Sequence, residues 1–282
     1  MIIKLMKTSA GLFLTDILPH KRKIFNKVVK NNVFGKDSTN NEVLTELKKS
    51  GVEGIELFLP SFAKSIDLND FRTIKKIIEQ NKLRVFSVHQ SLRFFSKTAI
   101  DEVSELFVTA DLLGAEVIVL HLNLAGKKIF DQQYIDKIHE LQKHYNIKVG
   151  FENREKMFGP FRAKYTWEAE SFASLIRKND FYITLDTTHL AQTGSDIVAF
   201  FKKNKDRIVN IHISDYKEHI FNSTLRPFRY KHLALGKGEL PISKFLQTLR
   251  EEKYQGLVTM EIHTNLQGLC ESARIISQSA RS

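Results

Sequence analysis

The chain has 282 residues, of which 42% are hydrophobic and 27% charged; these values are typical of a folded globular protein and exclude extended disorder. The formal net charge is +11, but the one dense basic cluster is HKRKIFNKVVK at 20–30, so an anionic partner and a general enrichment in lysine explain the charge equally well. The single Cys270 excludes an internal disulfide, and no stretch approaches the roughly 20 apolar residues of a membrane span, so a reducing, cytoplasmic location is expected.

Eight short apolar runs with the character of strands follow one another along the chain. In order they are 2–9, 52–58, 83–89, 115–121, 147–152, 181–186, 207–215 and 256–263. The first run, IIKLMKTS, is interrupted by Lys4 and Lys7 and shows no clear cleavage site of small residues. We therefore interpret it as a first strand and not as a signal peptide.

Amphipathic helical patterns fill the intervals between these runs. DLNDFRTIKKIIEQNK begins with Asp67 as a capping residue, and IDEVSELFVTADLLGA ends at Gly114, a residue typical of helix C-termini. Comparable patterns occupy 131–145, 166–179, 194–205 and 240–253. The last of them has Pro241 near its start, where proline is favoured.

Strands that alternate with helices indicate a parallel sheet covered by helices. Eight repeats of this α/β unit predict a closed (β/α)8 TIM barrel that forms a single domain over 1–282. No Gly-x-Gly-x-x-Gly follows the first run, which argues against a dinucleotide-binding sheet. Two long connections, 10–41 and 214–240, are expected on the face of the barrel that carries active sites.

Six consecutive predicted strands end in or near a side chain that can bind a metal or transfer a proton. These are His89, His121, Glu152, Asp186, His212 and Glu261. Taken singly each has an ordinary explanation, since a strand-end histidine often only packs and Asp186 is a suitable helix cap. In a barrel, however, the strand ends converge on one mouth. Six such ends in succession therefore predict a functional site.

The donor types in this ring predict a divalent metal. Glu152, Asp186, His212 and Glu261 form an oxygen-rich set that favours Mn²⁺, Mg²⁺ or Co²⁺, whereas ligation by additional histidines would favour Zn²⁺. Glu152 is placed to bridge to a second metal on neighbouring strands. The histidines that would serve a second or third metal, or contact the substrate, are His89, His121, His189 and His232. Asp215 is a candidate to support a metal-bound histidine.

Several motifs in order along nearly the whole chain carry a family resemblance. They are GIELF (54–58), VFSVHQ (85–90), LGAEVIVLHL (113–122), GFEN (150–153), LDTTHLAQTG (185–194), NIHISD (210–215), LGKGELP (235–241) and YQGLVTMEIH (254–263). With them the chain resembles the xylose isomerase-like TIM-barrel superfamily, which holds sugar and sugar-phosphate isomerases and epimerases together with endonuclease IV.

The resemblance implies a metal site formed by Glu152, Asp186, His212 and Glu261. It also implies that Glu152 and Glu261 exchange a proton at a carbon next to a carbonyl, which a positioned carboxylate and a Lewis acid make feasible. The expected function is therefore a metal-dependent isomerase or epimerase acting on a small carbohydrate or sugar phosphate. A barrel that binds sugar without catalysis is a further alternative.

An endonuclease IV-like zinc phosphodiesterase acting on abasic DNA is the main alternative. In that branch, residues corresponding to His89, His121, His189 and His232 bind three zinc ions with the core ligands. However, Tyr230 stands where that branch has an aspartate, and MKTSAGL (6–12) replaces its first-strand HVS motif. The bulky NREKMFGP (153–160) also departs from its small residues after the glutamate.

Three cations are candidates for binding substrate oxygens or phosphate: Arg154, Lys217 and Lys237. Arg154 and Lys217 would otherwise pair with neighbouring carboxylates. Lys237 lies in LGKGELP, where backbone N–H groups at the start of the helix would help to bind an anion. The alternative is a turn that simply needs Gly236 and Gly238 for backbone freedom.

Overall fold

The computed structural model describes residues 6–13, 40–59, 67–90, 100–122, 131–154, 168–218 and 232–281. Eight parallel strands close into a barrel in chain order, and the last strand pairs with the first. The strands are β1 Lys7–Phe13, β2 Gly54–Phe58, β3 Arg84–His89, β4 Val117–His121, β5 Lys148–Glu152, β6 Tyr182–Asp186, β7 Ile208–Ile213 and β8 Leu257–Met260. The predicted (β/α)8 barrel is thus confirmed, and the assignment of 1–282 to one domain stays a prediction.

Helices connect and cover these strands. Within the described residues they are α1 Asn40–Lys49, α2 Leu68–Gln80, α3 Ile100–Leu113, α4 Gln132–Tyr145, α5 Ala169–Lys178, α6 Thr187–Gln192, α7 Ile197–Asn204, α8 Ile242–Glu251 and α9 Leu266–Arg281. Asp67 caps α2 as expected, accepting hydrogen bonds from the backbone N–H groups of Asn69 and Asp70. In this part of the chain no helix is both long and apolar enough to cross a membrane.

The first strand lies further along the chain than the apolar run predicted. It spans Lys7–Phe13 instead of 2–9, and residues 2–5 lie outside the described part of the chain. Its register pairs Ser9 with Gly54 and Phe13 with Phe58. A Cβ at Gly11 would lie 2.6 Å from the ring of Phe58, so only glycine fits there without movement. Such small residues interrupt the apolar run that the sequence prediction followed.

Alternation along the strands decides which side chains reach the barrel interior. In β6, Ile183 and Leu185 belong to the main hydrophobic core, whereas Thr184 and Asp186 are buried on the other face of the strand. A second hydrophobic cluster lies toward the amino ends of the strands and consists of Phe86, Val117, Val119, Val209 and Leu257. Polar and ionisable groups therefore collect at the carboxyl ends of the strands.

Candidate metal centre

The register of the barrel brings the predicted core ligands together at its mouth. His121 is the register partner of Glu152, and Asp186 is the partner of His212. Glu261 follows β8 directly. Ligand atoms of Glu152, Asp186, His212 and Glu261 all lie within 4.8 Å of one another. The ligand atoms of the four residues predicted as one site thus lie close enough together for a single ion to contact all of them.

His212 links the two glutamates of this group. Its Nδ1 lies 2.9 Å from Glu152 Oε1 and 2.8 Å from Glu261 Oε2. Burial alone would lower the pKa of His212, but the carboxylates of Glu56, Glu261 and Glu152 around it raise that pKa well above its usual value. In the metal-free site the imidazolium therefore holds the two carboxylates together, and an incoming cation must displace a proton.

Asp186 both caps a helix and presents an oxygen to the site. Its Oδ1 accepts a hydrogen bond of 2.6 Å from the backbone N–H of His189 in α6. The side chain of Asn153 fixes its backbone, accepting from the N–H of Asp186 at 2.7 Å and donating to its C=O at 3.0 Å. Burial raises the pKa of Asp186 to about 7. The cap and the ligand interpretations are therefore compatible, because they use different oxygens.

A second donor group lies on the other side of Glu152. Nε2 of His121 is 2.5 Å from Glu152 Oε2, and Nε2 of His89 is 3.6 Å from the same oxygen. Nδ1 of His89 lies 2.6 Å from the backbone C=O of Gln90, so Nδ1 is the donor there and Nε2 faces the glutamate. Burial lowers the pKa of His121 to about 4, and the nearby charge of Arg154 acts in the same direction. The imidazole of His121 is thus neutral at physiological pH, the form in which histidine can bind a metal.

A third group joins Asp186 to His189 and His232. Their ligand atoms lie within 4.8 Å of one another, and His232 Nδ1 is 3.9 Å from Asp186 Oδ2. His232 Nδ1 also lies 3.3 Å from the Ser214 hydroxyl, and burial lowers its pKa to about 4. The four additional histidines predicted from the sequence therefore all line the mouth. Tyr230, which bears on a third zinc, lies outside the described residues.

The residues present fit a divalent cation. Within the described part of the chain, seven buried polar atoms of the site lack a well-aligned hydrogen bond: Glu56 Oε1, His89 Nε2, His121 Nδ1, Glu152 Oε2, Asp186 Oδ2, His212 Nε2 and Glu261 Oε2. Leaving such polar atoms buried without partners is costly, and a cation among them would satisfy several at once. Three carboxylates with one imidazole also match the ligand preference of hard and borderline divalent ions.

The LGKGELP loop does not offer its N–H groups to a ligand. The carboxylate of Asp215 accepts hydrogen bonds from the backbone N–H groups of Gly236, Gly238 and Leu240, at 3.0, 2.9 and 3.1 Å. A Cβ at Gly238 would collide with this carboxylate. The turn interpretation is therefore confirmed for Gly236, whose φ is +80°, whereas Gly238 is needed for the close approach of the carboxylate and not for backbone freedom. Asp215 organises this loop, and the expectation that it supports a metal-bound histidine is wrong.

The three predicted substrate-binding cations occupy different environments. Arg154 is only 5% exposed and lies close enough to His121 to shift its pKa. Lys217 is half-exposed, with its Nζ 3.5 Å from Glu239 Oε1, and so forms the carboxylate pair that was the alternative interpretation. Lys237 is exposed on the LGKGELP loop. Substrate binding by these three residues stays a prediction. The burial of Arg154 makes it the strongest candidate among them.

Three further polar residues of the site were not predicted from the sequence. Glu56 is fully buried in β2 beneath His212, Asn153 clamps Asp186, and the backbone N–H of His263 donates to the C=O of His232 at 2.7 Å. A carboxylate inside the apolar run GIELF was the available signal for Glu56. Asn153 and His263 lie one and two residues beyond the two glutamates, but nothing in their spacing distinguishes them from ordinary loop residues.

Comparison with known proteins points to one family. The model of the family described as xylose isomerase-like TIM barrel matches residues 44–281. The chain is similar to an inosose dehydratase of Clostridium botulinum, with 23% identity over 258 residues that make up 81% of this chain and 83% of that protein.

Two solved structures show the same fold. One is 3-keto-D-glucoside 4-epimerase from E. coli, with a TM-score of 0.66 and 14% identity over 97% of this chain and 99% of that one. The other is the IolI protein with a bound zinc atom, with a TM-score of 0.63 and 16% identity over 98% of both chains.

Proposed function

Because the chain belongs to the xylose isomerase-like TIM-barrel family, whose members include sugar epimerases and dehydratases, we propose that it is a divalent-metal-dependent isomerase or epimerase of a sugar or sugar phosphate. The observation that carries this proposal is the convergence of Glu152 and Glu261 on the same nitrogen of His212, beside Asp186. This arrangement offers two carboxylates for proton transfer within one set of metal ligands.

The chemistry assigned to the two glutamates is proton exchange at a carbon next to a carbonyl. One carboxylate removes the proton, and the other returns a proton to the opposite face or to the neighbouring carbon. A divalent ion, when bound, would stabilise the negative charge that develops on the substrate oxygen. Mn²⁺, Mg²⁺ and Co²⁺ suit the carboxylate-rich group, and Zn²⁺ becomes favoured if the histidines beside Glu152 also bind.

The protonation states of the glutamates suit this role. Burial acts to raise the pKa of Glu152, but His121, His212 and His89 hold it well below its usual value. Burial also acts to raise the pKa of Glu261, but His212 outweighs this effect and lowers that pKa below its usual value. Both carboxylates are therefore ionised at neutral pH, as a proton acceptor must be, but the lowered pKa makes each of them a weak base in the metal-free site. Glu261, with 20% of its side chain exposed, is the one open to the mouth.

Solvent deuterium exchange tests the proposal directly. A panel of ketoses, aldoses and their phosphates is incubated with the Mn²⁺-loaded protein in D₂O and followed by NMR. We expect deuterium at a carbon next to the carbonyl of one class of substrate, and no exchange with Glu152→Gln or Glu261→Gln. Exchange that persists in both variants, or a wild-type protein that binds no divalent ion, would contradict the proposal. Sugar binding without exchange would favour the non-catalytic alternative.

Product analysis in the same experiment separates the possible outcomes of proton abstraction. An epimer or isomer supports the proposed reaction. Loss of water would instead indicate a dehydratase, which begins with the same proton removal and is the activity named for the clostridial relative. The proton-transfer role of the glutamates is common to both.

A zinc phosphodiesterase is the second candidate, and a specific observation favours it. The groups His89–His121–Glu152 and Asp186–His189–His232 flank the carboxylate-rich group and add two possible metal sites. Metal analysis separates the candidates, because one Mn²⁺ or Mg²⁺ favours isomerisation and two or three Zn²⁺ favour hydrolysis. Cleavage of an abasic duplex at low salt would replace the first proposal with this one.

A further inference from the structure

A fully buried carboxylate lies beneath the metal centre and takes no part in the proposed proton transfer. Oε1 of Glu56, in the middle of β2, is 2.8 Å from Nε2 of His212. The other ring nitrogen, Nδ1, faces Glu152 and Glu261. The imidazole of His212 therefore spans the distance between Glu56 and the predicted metal ligands.

The second oxygen of Glu56 is fully engaged by the barrel interior. Its Oε2 accepts hydrogen bonds from the Ser87 hydroxyl at 2.5 Å and from Asn210 Nδ2 at 2.8 Å. Asn210 is oriented in turn by Thr259, whose hydroxyl donates to Asn210 Oδ1 at 3.0 Å. All of these side chains are completely buried, so the network fixes the carboxylate and leaves only Oε1 for His212.

Glu56 Oε1 and His212 Nε2 are suited to pair with each other. Oε1 of Glu56 and Nε2 of His212 lie at the separation of a charge-assisted hydrogen bond, and within the described residues neither atom has a well-aligned hydrogen-bond partner elsewhere or in this pair. A metal-bound histidine commonly donates its other ring N–H to a carboxylate, which fixes both its tautomer and its orientation.

We infer that Glu56 is a positioning residue that accepts the Nε2–H of His212 and thereby keeps the Nδ1 lone pair directed at the metal centre. The inference rests on the proposed metal site and adds a residue that the proton-transfer chemistry does not require. It also explains why a barrel interior that favours Val, Ile or Leu contains a carboxylate two residues before the end of β2.

Ligation of an ion by Glu56 itself is the competing interpretation, since Glu56, His89 and His212 also lie within 4.8 Å of one another. For His212 to bind one ion through Nε2 and another through Nδ1, its ring must lose both protons. Donation of Nε2–H to Glu56 leaves Nδ1 available with an ordinary neutral ring. The positioning role therefore follows more directly from the geometry.

Glu56→Gln tests the role because the network dictates how the amide must lie. Ser87 and Asn210 both donate, so the amide oxygen takes the place of Oε2 and the amide NH₂ faces His212 Nε2. That NH₂ pairs with a bare Nε2, which moves the ring proton to Nδ1. We expect Mn²⁺ affinity measured by calorimetry to fall about 10- to 100-fold. In Zn²⁺-loaded protein labelled with ¹⁵N-histidine, the Nε2–H signal of His212 should disappear.

A second substitution should restore both properties. In Glu56→Gln/Asn210→Asp the new carboxylate accepts from the amide NH₂, so the amide oxygen turns toward His212 and again accepts Nε2–H. We expect recovery of most of the metal affinity and of the NMR signal. Ser87→Ala is the matched control, because it removes one hydrogen bond to Oε2 without altering the atom that faces His212. Its metal affinity and Nε2–H signal should remain near those of the wild type.

The outcomes distinguish this inference from the proposed function. A wild-type protein that binds no divalent ion overturns both. Metal binding with unchanged affinity and an unchanged Nε2–H signal in Glu56→Gln overturns the role of Glu56 alone. Loss of one whole ion from the stoichiometry also overturns it, since Glu56 would then be a ligand. If Glu56→Gln does not fold, the signal in the wild type decides, because its absence there contradicts the inference.

Discussion

The two oxygens of Glu152 face donor groups of different composition. Oε1 faces His212 and, beyond it, Glu261 and Asp186, whereas Oε2 faces the imidazoles of His121 and His89. The first, the carboxylate side, is rich in ionised carboxylate and suits a hard cation together with proton transfer. The second, the imidazole side, offers nitrogen ligands of the kind that zinc prefers, and the lowered pKa of His121 keeps that ring neutral.

This difference links the number of bound ions to the reaction. With an ion on the carboxylate side only, Glu152 keeps its Oε2 for accepting a proton or a hydrogen bond from His121. With ions on both sides, both oxygens of Glu152 would be ligands and the residue would lose its proposed function as a base. Under the two proposed functions, the occupancy of the imidazole side would therefore distinguish proton transfer at carbon from the hydrolysis of a phosphodiester.

The largest effect is expected from Glu152→Gln, which alters both sides at once. Loss of the base should reduce solvent deuterium exchange by about 10²- to 10⁴-fold, the usual contribution of a positioned acid or base. Glu140→Gln, at an exposed position of α4 where the side chain pairs with Lys137, is the control and should exchange at the wild-type rate. An exchange rate close to wild type in Glu152→Gln would show that the carbon proton is removed elsewhere.

Removal of the imidazole side alone should have an intermediate effect. His121→Gln removes the imidazole that lies 2.5 Å from Glu152 Oε2, and we expect exchange to fall about 10- to 100-fold through the lost contact with this charged group. Under the proposed function, the number of bound ions should remain one in both proteins. A fall from two zinc ions to one would instead identify the imidazole side as a metal site and favour the phosphodiesterase.

The pH dependence of metal binding probes the carboxylate side. Burial raises the pKa of Asp186 to about 7, so below that pH a proton competes with the metal for this residue. Competition by this one proton should therefore lower the apparent metal affinity by up to about tenfold per pH unit below pH 7. Calorimetry in buffers of different ionisation enthalpy measures the released proton. Equal affinity at pH 7.5 and pH 6 would show that Asp186 is not a ligand.

The raised pKa of Asp186 affects the stability of the metal-free protein in the opposite direction: a higher pH favours metal binding but lowers this stability. The folded-state pKa of Asp186 lies above its unfolded value of about 3.9. Between about pH 4 and pH 7 the folded state therefore binds one more proton than the unfolded state. The contribution of Asp186 to stability is therefore lost as the pH rises toward 7. Thermal unfolding with and without Mn²⁺ should show the ion giving its largest gain in Tm at the high end of this range.

The smallest effect is expected at the rim of the mouth. Lys217 is 51% exposed and paired with Glu239, so Lys217→Met should change KM by less than about fivefold. Arg154→Met, which removes a buried charge beside His121, should change KM more. If Lys217→Met gave the greater increase in KM, then Lys217 would be the substrate contact that the sequence suggested.

The sequence by itself determined the barrel and the ring of residues at its mouth. Runs that end in His89, His121, Glu152 and Asp186 predict which side chains meet at the mouth, because parallel strands in a closed barrel bring their carboxyl ends to one face. It misplaced β1 because small residues such as Gly11 interrupt the apolar pattern where the ring of Phe58 approaches the backbone.

Only the tertiary structure decided which atoms meet. The barrel register places Glu56 against Nε2 of His212, across 156 positions of chain, and turns the carboxylate of Asp215 into the LGKGELP loop. Such choices depend on strand stagger and on side-chain rotamers in a closed interior. Residue spacing specifies which strand carries a side chain, but the closure of the barrel specifies which oxygen of Glu152 faces which histidine.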